Sequence, residues 1–314
     1  MILNIKYLGL IYILLILVGC KKDPIIFNNV IKNSTCEQLP KTPPFGWDYT
    51  TRKKNLNVSH SIYDKINPNI IYYLADDTLN NTYILWKLNR ITNLKIQLDK
   101  NVFGQPQINS KGWLVYYKND LNLYVIKNNG DSLKQITNSN NYIEPVWDED
   151  ENNILTYNNT TNCIIRINKN GQNLDTLFNI NSPVFIKDSL MLYFITFTNS
   201  QSLVLKNLNN NTSKNIFTNT SPLTYYNFFT DSKNVYYSNS EGLFKTNLIT
   251  NSVIKILNSC PKELFLHFST NFITSKLMAT KISIKNLNET TLLIQYDLYE
   301  LDENASNQKM IIIP

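Results

Sequence analysis

The sequence has little histidine, arginine, glycine or cysteine. It has two histidines, His60 and His267, about 200 residues apart, and no third ligand motif accompanies them. That pattern gives no expectation of a metal site. Arginine is confined to Arg52, Arg90 and Arg166. The formal charge of +6 is carried by scattered lysines, with short runs only at Lys21-Lys22 and Arg52-Lys53-Lys54. A nucleic-acid surface would cluster such charge on one face, so none is expected. The 4 Cys are too few for a disulfide scaffold and form no Cys-x-x-Cys pair. There is no Gly-x-Ser-x-Gly elbow, Gly-rich phosphate loop or His-Glu-x-x-His. On those absences no motif singles out a catalytic site, and no cofactor is expected.

What is abundant is asparagine, about 50 residues in 314. With so much Asn, Ile and Lys, part of this reflects an AT-rich coding bias rather than selection on the protein. The 43% hydrophobic content excludes a disordered chain. The length exceeds what one simple core serves, so two domains or a repeat architecture is expected.

Residues 1–19 read as a signal peptide. Lys6 supplies a positive start and Tyr7 to Gly19 an apolar run of 13 residues, too short to span a membrane. The run ends Leu17-Val18-Gly19-Cys20. This resembles the bacterial lipobox, and the resemblance implies that Cys20 takes a diacylglycerol thioether and becomes an acylated N-terminus. Several acyl chains would anchor it at about 0.8 kcal/mol per buried CH₂. The Lys-Asp sequence after the cysteine resembles surface-export signals of Bacteroidetes-type lipoproteins. The expected location is therefore the outer membrane of a Gram-negative bacterium, facing the periplasm or the surface. Residues 20–57 are expected to be a tether, with Pro24, Pro40, Pro43 and Pro44 and little periodicity.

From residue 58 to 314, short β-branched and aromatic runs alternate with Asn, Ser, Gly and Asp turns. Such runs include Ile70–Leu74, Trp113–Tyr117, Leu123–Ile126, Ile154–Tyr157, Cys163–Ile167 and Leu190–Phe197. Pro106, Pro145, Pro183, Pro222 and Pro261 recur every 38 or 39 residues. Ile136, Leu177, Ile216 and Ile256 recur with nearly the same period. Two markers with one period indicate repeats, and about 40 residues accommodate four strands and their turns. The proline is expected at the first residue of a strand, where no ladder N–H is lost. Tyr72-Tyr73 and Tyr116-Tyr117 alternate faces, so about half of these rings must pack between units.

The segments Glu144-Pro145-Val146-Trp147-Asp148-Glu149-Asp150 and Asn170-Gly171, with their equivalents Gln105-Pro106 and Asn129-Gly130, resemble the TolB-like (WD-like) propeller repeat. The resemblance implies an all-β fold, a six-bladed β-propeller of four-stranded antiparallel blades. It also implies a non-enzymatic binding or assembly role at the cell envelope, so that the chain is expected not to be an enzyme, with the lipid anchor in the membrane and an unidentified envelope protein as partners. A glycan-binding or glycan-cleaving propeller is the alternative. The N-terminal α/β domain typical of TolB has no room in residues 21–57.

Three further groups qualify as candidates. Cys36 and Cys260 could form a disulfide across the ring closure, worth about 4–5 kcal/mol in the chain-entropy model. Asp148-Glu149-Asp150-Glu151 is the densest carboxylate run, expected to be a solvated turn rather than a Ca²⁺ loop. Cys163 lies in a strand-like run and is expected to be a buried thiol.

Overall fold

A computed structural model describes residues 58–313, apart from 78–81, 149, 180–182, 188–189, 198–199, 208–209, 211, 220–226, 231–233, 240–241, 251, 259–262, 272, 287–291 and 303–306. Cys20, Cys36, Cys260, Pro222 and Pro261 lie outside the described residues. Every regular element described is a strand. No described helix is long and apolar enough to cross a membrane.

The strands are β1 (Val58–Tyr63), β2 (Ile70–Asp77), β3 (Thr82–Asn89), β4 (Lys95–Ile108), β5 (Trp113–Lys118), β6 (Leu123–Lys127) and β7 (Lys134–Gln135), which form one antiparallel sheet in chain order. Four separate four-stranded sheets follow. They are β8 (Tyr142–Trp147) to β11 (Asn173–Asn179), with β9 (Asn153–Asn158) and β10 (Cys163–Asn168) between; β12 (Pro183–Lys187), β13 (Leu190–Phe197), β14 (Ser200–Asn207) and β15 (Ser213–Asn219); β16 (Asn227–Thr230), β17 (Asn234–Asn239), β18 (Gly242–Asn247) and β19 (Val253–Asn258); and β20 (Glu263–Asn271), β21 (Lys276–Asn286), β22 (Leu292–Asp302) and β23 (Gln308–Met310).

The seven-stranded sheet contains two repeat units that share β4. That strand pairs with β3 up to Val102 and then with β5, and its register breaks between Phe103 and Gln107. No sheet among the described strands joins the two ends of the chain. The first and last sheets meet by packing, with β1 against β20, β21 and β22.

The inner strands of the first sheet are buried on both faces, so alternation in sequence becomes alternation between two cores. Along β2, Ile71, Tyr73 and Ala75 pack with Met278, Leu298 and Ile311 of the last sheet. Tyr72 and Leu74, on the other face, pack with Ile108, Leu114, Tyr116 and Ile126 of the next unit. Three of the four paired tyrosines are fully enclosed, and Tyr117 is half-buried. Each enclosed ring removes about 150–250 Å² from water, the largest single contributions a sheet of this size can make.

The recurring prolines are placed differently from expectation. Of the three described members of the series, only Pro183 begins its strand. Pro106 lies inside β4 and Pro145 inside β8, each within a β-bulge: between Phe103 and Gln107, and between Ile143 and Val146. A bulge leaves a residue without a ladder partner, so a missing N–H costs nothing there. The same irregularity recurs in β1 between Ser59 and Ile62 and in β20 between Leu266 and Ser269. His60, Gly104 and Glu144 take left-handed φ values of 49°, 64° and 53° at three of these bulges.

Candidate functional site

Strand direction alternates within each unit, so the turns after its first and third strands lie at one end of the molecule. This odd end carries the contacts that tie neighbouring units together. Asp148 accepts hydrogen bonds from the backbone N–H groups of Asn152 and Asn153 and from Asn153 Nδ2, closing its own turn. Three residues on, Glu151 reaches away. Its carboxylate accepts from Lys65 Nζ at 2.5 Å and from Ser110 N at 2.6 Å, which links the first turns of three units. Burial alone would push the Glu151 carboxyl up, but the Lys65 and Ser110 hydrogen bonds outweigh it and hold it below its ordinary value. The acidic run is thus a capped turn and an inter-unit tie. Among the described residues no group of three His, Cys, Asp or Glu side chains is placed to hold a metal ion.

A second tie joins the first and last sheets. Arg90, in the turn after β3, grips Glu300 of β22 with Nη1 at 2.7 Å and Nη2 at 3.1 Å. Tyr63 Oη donates to the same carboxylate at 2.7 Å. Burial pushes the Glu300 carboxyl up, yet the Arg90 and Tyr63 hydrogen bonds prevail and its pKa is lowered. The Tyr63 hydroxyl is driven well above the ordinary phenol range, by burial first and by Glu300 second.

The odd end also exposes apolar side chains. Ile66, Ile91, Leu94, Ile249 and Ile273 all project from its turns, and Ile249 is 79% exposed. The backbones at Ile66, Ile91 and Ile249 are fixed by Asx turns. Asp64 Oδ1 accepts from Ile66 N and Asn67 N, Asn89 Oδ1 from Ile91 N and Thr92 N, and Asn247 Oδ1 from Ile249 N and Thr250 N. Rigid turns hold these isoleucines out instead of letting them fold back.

Between the second and third units lies a cavity of about 420 Å³, lined by Trp113, Leu133, Lys134, Trp147, Lys169 and Asn170 among others. Trp113 opens β5, with the Lys127 ammonium 4.6 Å from its ring centre. Trp147 closes β8, and its indole N–H donates to Gln107 O at 3.3 Å. Lys134 Nζ donates to Asn170 Oδ1 at 3.3 Å across the opening. Gly171, beside Asn170, sits at φ +87°, and a Cβ there would fall 1.7 Å from Ile136 O of the preceding unit. Only glycine permits this approach, which sets how closely the two units meet. In the sequence Trp113 and Trp147 read as strand residues, and nothing in their spacing shows that the lysine-bearing turns leave a space between them.

The other candidates separate. His60 Nδ1 lies 3.0 Å from Ser59 Oγ and its ring meets Tyr83 edge-on; nothing is described of the His267 side chain. Cys163 is a free, half-buried thiol whose Sγ lies 3.2 Å from Thr161 O.

No family model and no curated protein matches the chain. Solved structures do, at low identity. The acylaminoacyl peptidase of Pyrococcus horikoshii matches with a TM-score of 0.54 and 12% identity, over 85% of this chain and 54% of that one. The chain thus spans about half the length of that peptidase. TolB from Acinetobacter baumannii matches with a TM-score of 0.50 and 13% identity, over 77% of this chain and 65% of that one. The β-propeller domain of the Trilobed protease from Pyrococcus furiosus, which has an open velcro topology, matches at 0.54 and 10%, over 82% and 98%. The fold is therefore an all-β propeller of TolB-like type. These neighbours also correct one expectation. The TolB-like resemblance implies a non-enzymatic role, but peptidases are among the structures the chain resembles. A propeller of this kind does not mark a chain as non-catalytic, and a fold does not settle an activity.

Proposed function

We propose that this chain is a lipid-anchored propeller of the bacterial envelope, a six-bladed ring held to the membrane through Cys20, whose odd end binds a partner protein. The observation that carries the reading is the gathering of exposed isoleucines on rigid turns at that end. Single exposed apolar residues are ordinary on any surface, whereas several directed to one end favour a docking face. The TolB-like fold supports a binding module in the same sense.

Two measurements test this. Palmitate labelling is expected in the wild type and absent in Cys20→Ala; equal labelling removes the anchor. A photo-crosslinker placed at Ile249 in intact membranes is expected to give one discrete adduct, and a crosslinker in the turn at Asp120 none. Equal adducts from both positions, or none from either, overturn the docking face.

A second reading, glycan binding, is favoured by the two indoles at the cavity, because indole faces stack on sugar rings. It predicts that a neutral oligosaccharide protects Trp147 from chemical oxidation.

A further inference from the structure

We infer that the cavity between the second and third units binds an acidic, extended peptide segment, with one apolar side chain inserted beside Trp113 and Trp147 and its carboxylates on Lys134 and Lys169. The inference rests on the protein-binding reading above and names the chemistry of one subsite.

Charge argues for the acidic character. Lys134 and Lys169 are exposed at the opening and Lys127 stands behind Trp113. The carboxylates nearest in sequence to the lining residues are engaged elsewhere. Asp131 Oδ2 accepts from Asn129 Nδ2 at 2.7 Å, and Asp148 closes its own turn. A ligand carboxylate therefore meets the Lys134 and Lys169 ammonium groups without a competing anion among the lining residues, with Lys127 adding positive charge behind the indole. The indole rings and Leu133, which is 48% exposed, supply an apolar wall large enough for a leucine or phenylalanine side chain.

The sheet edge argues for a peptide over a sugar. β7, which carries Lys134, ends its sheet, so among the described residues its outer edge pairs with no strand. An extended peptide can add there through main-chain hydrogen bonds while alternate side chains enter the cavity. A glycan has no such ladder to offer.

The test uses the full-length chain in detergent and a dye-labelled peptide in which glutamates flank one phenylalanine, read by fluorescence anisotropy. Saturable binding is expected, weakened at least tenfold in Lys134→Glu/Lys169→Glu and at least tenfold in Trp147→Ala, and weakened by salt. Both lysines are exposed, so the double variant is expected to melt as the wild type does; Trp147→Phe, which keeps bulk, is expected to retain most of the binding. Equal binding of a lysine-flanked control peptide, or unchanged affinity in the double charge reversal, overturns the inference. So does tighter binding of an oligogalacturonate, which would make this an acidic-glycan site. If the peptide binds as stated but membrane crosslinking at Ile249 yields no adduct, the docking reading fails while the subsite stands. If the adduct forms and the peptide does not bind, the reverse holds.

Discussion

Two seams between neighbouring units are built from the same repeat and end up opposite in character. Where the first and last sheets meet, Tyr73, Ile71 and Leu88 fill the space against Met278, Leu298 and Ile311, and Arg90, Tyr63 and Glu300 close the polar margin. Where the second and third units meet, Gly171 draws the backbones together at one point, and a 420 Å³ cavity remains beside two tryptophans. The first seam joins the first and last described sheets, which share no strand pairing among the described residues, so side chains carry its cohesion. The second joins units that are already adjacent in sequence, where the connecting chain holds them together and packing can be spared. A covalent neighbour tolerates a void that a distant one does not.

Breaking the filled seam is expected to have the largest effect. Tyr73→Ala leaves a cavity with no route to collapse and is expected to cost about 3–5 kcal/mol, measured by urea denaturation. A loss below about 1 kcal/mol would mean the seam does not hold the first and last sheets together. Gly171→Ala attacks the other seam at its one tight point. A Cβ in left-handed backbone, driven against a main-chain oxygen, is expected to cost about 2–4 kcal/mol. Gly130, at the matching turn one unit earlier, meets only Leu98 Cδ2 at 3.6 Å. Gly130→Ala is therefore expected to show the φ penalty alone, and equal costs at the two positions would deny the close approach its role.

The fold was legible because it is written in spacing. The 38–39-residue proline period and the paired tyrosines report a repeat whose strands bury both faces, and those strands lie where the apolar runs fall. The bulges were not legible, because a proline period says where an N–H is missing and not how the ladder accommodates the gap. Asparagine was half legible. Its tolerance of left-handed backbone is seen at Asn93, Asn101, Asn140 and Asn162. The larger use, side-chain oxygens of Asn89, Asn109, Asn158, Asn168 and Asn247 accepting from turn N–H groups, depends on turn geometry that composition does not carry. The cavity was invisible for a related reason: it is bounded by two tryptophans 34 positions apart and by turns from different units.

Glu300→Gln sharpens the filled seam at its polar margin. Losing charge-assisted bonds from Arg90 is expected to cost about 1.5–3 kcal/mol at neutral pH. The native carboxyl is held below its ordinary value of 4.5, so its contribution is present above that value and is lost as pH falls through and below it. The melting temperatures of wild type and variant should therefore differ most near neutrality and converge in acid. Parallel curves down to low pH would show that Glu300 is not charged in the folded state.

Trp147→Ala is expected to have the smallest effect on stability, about 1 kcal/mol, because the ring is half-exposed and already borders open space. The contrast with Tyr73→Ala is the decisive quantity, since the two residues have comparable bulk and differ in what surrounds them. If the open seam is a binding site, the variant should unfold close to the wild type while losing the acidic peptide. If Trp147→Ala instead costs as much as Tyr73→Ala, the indole is a core residue, the cavity is a packing fault, and the two seams are alike after all.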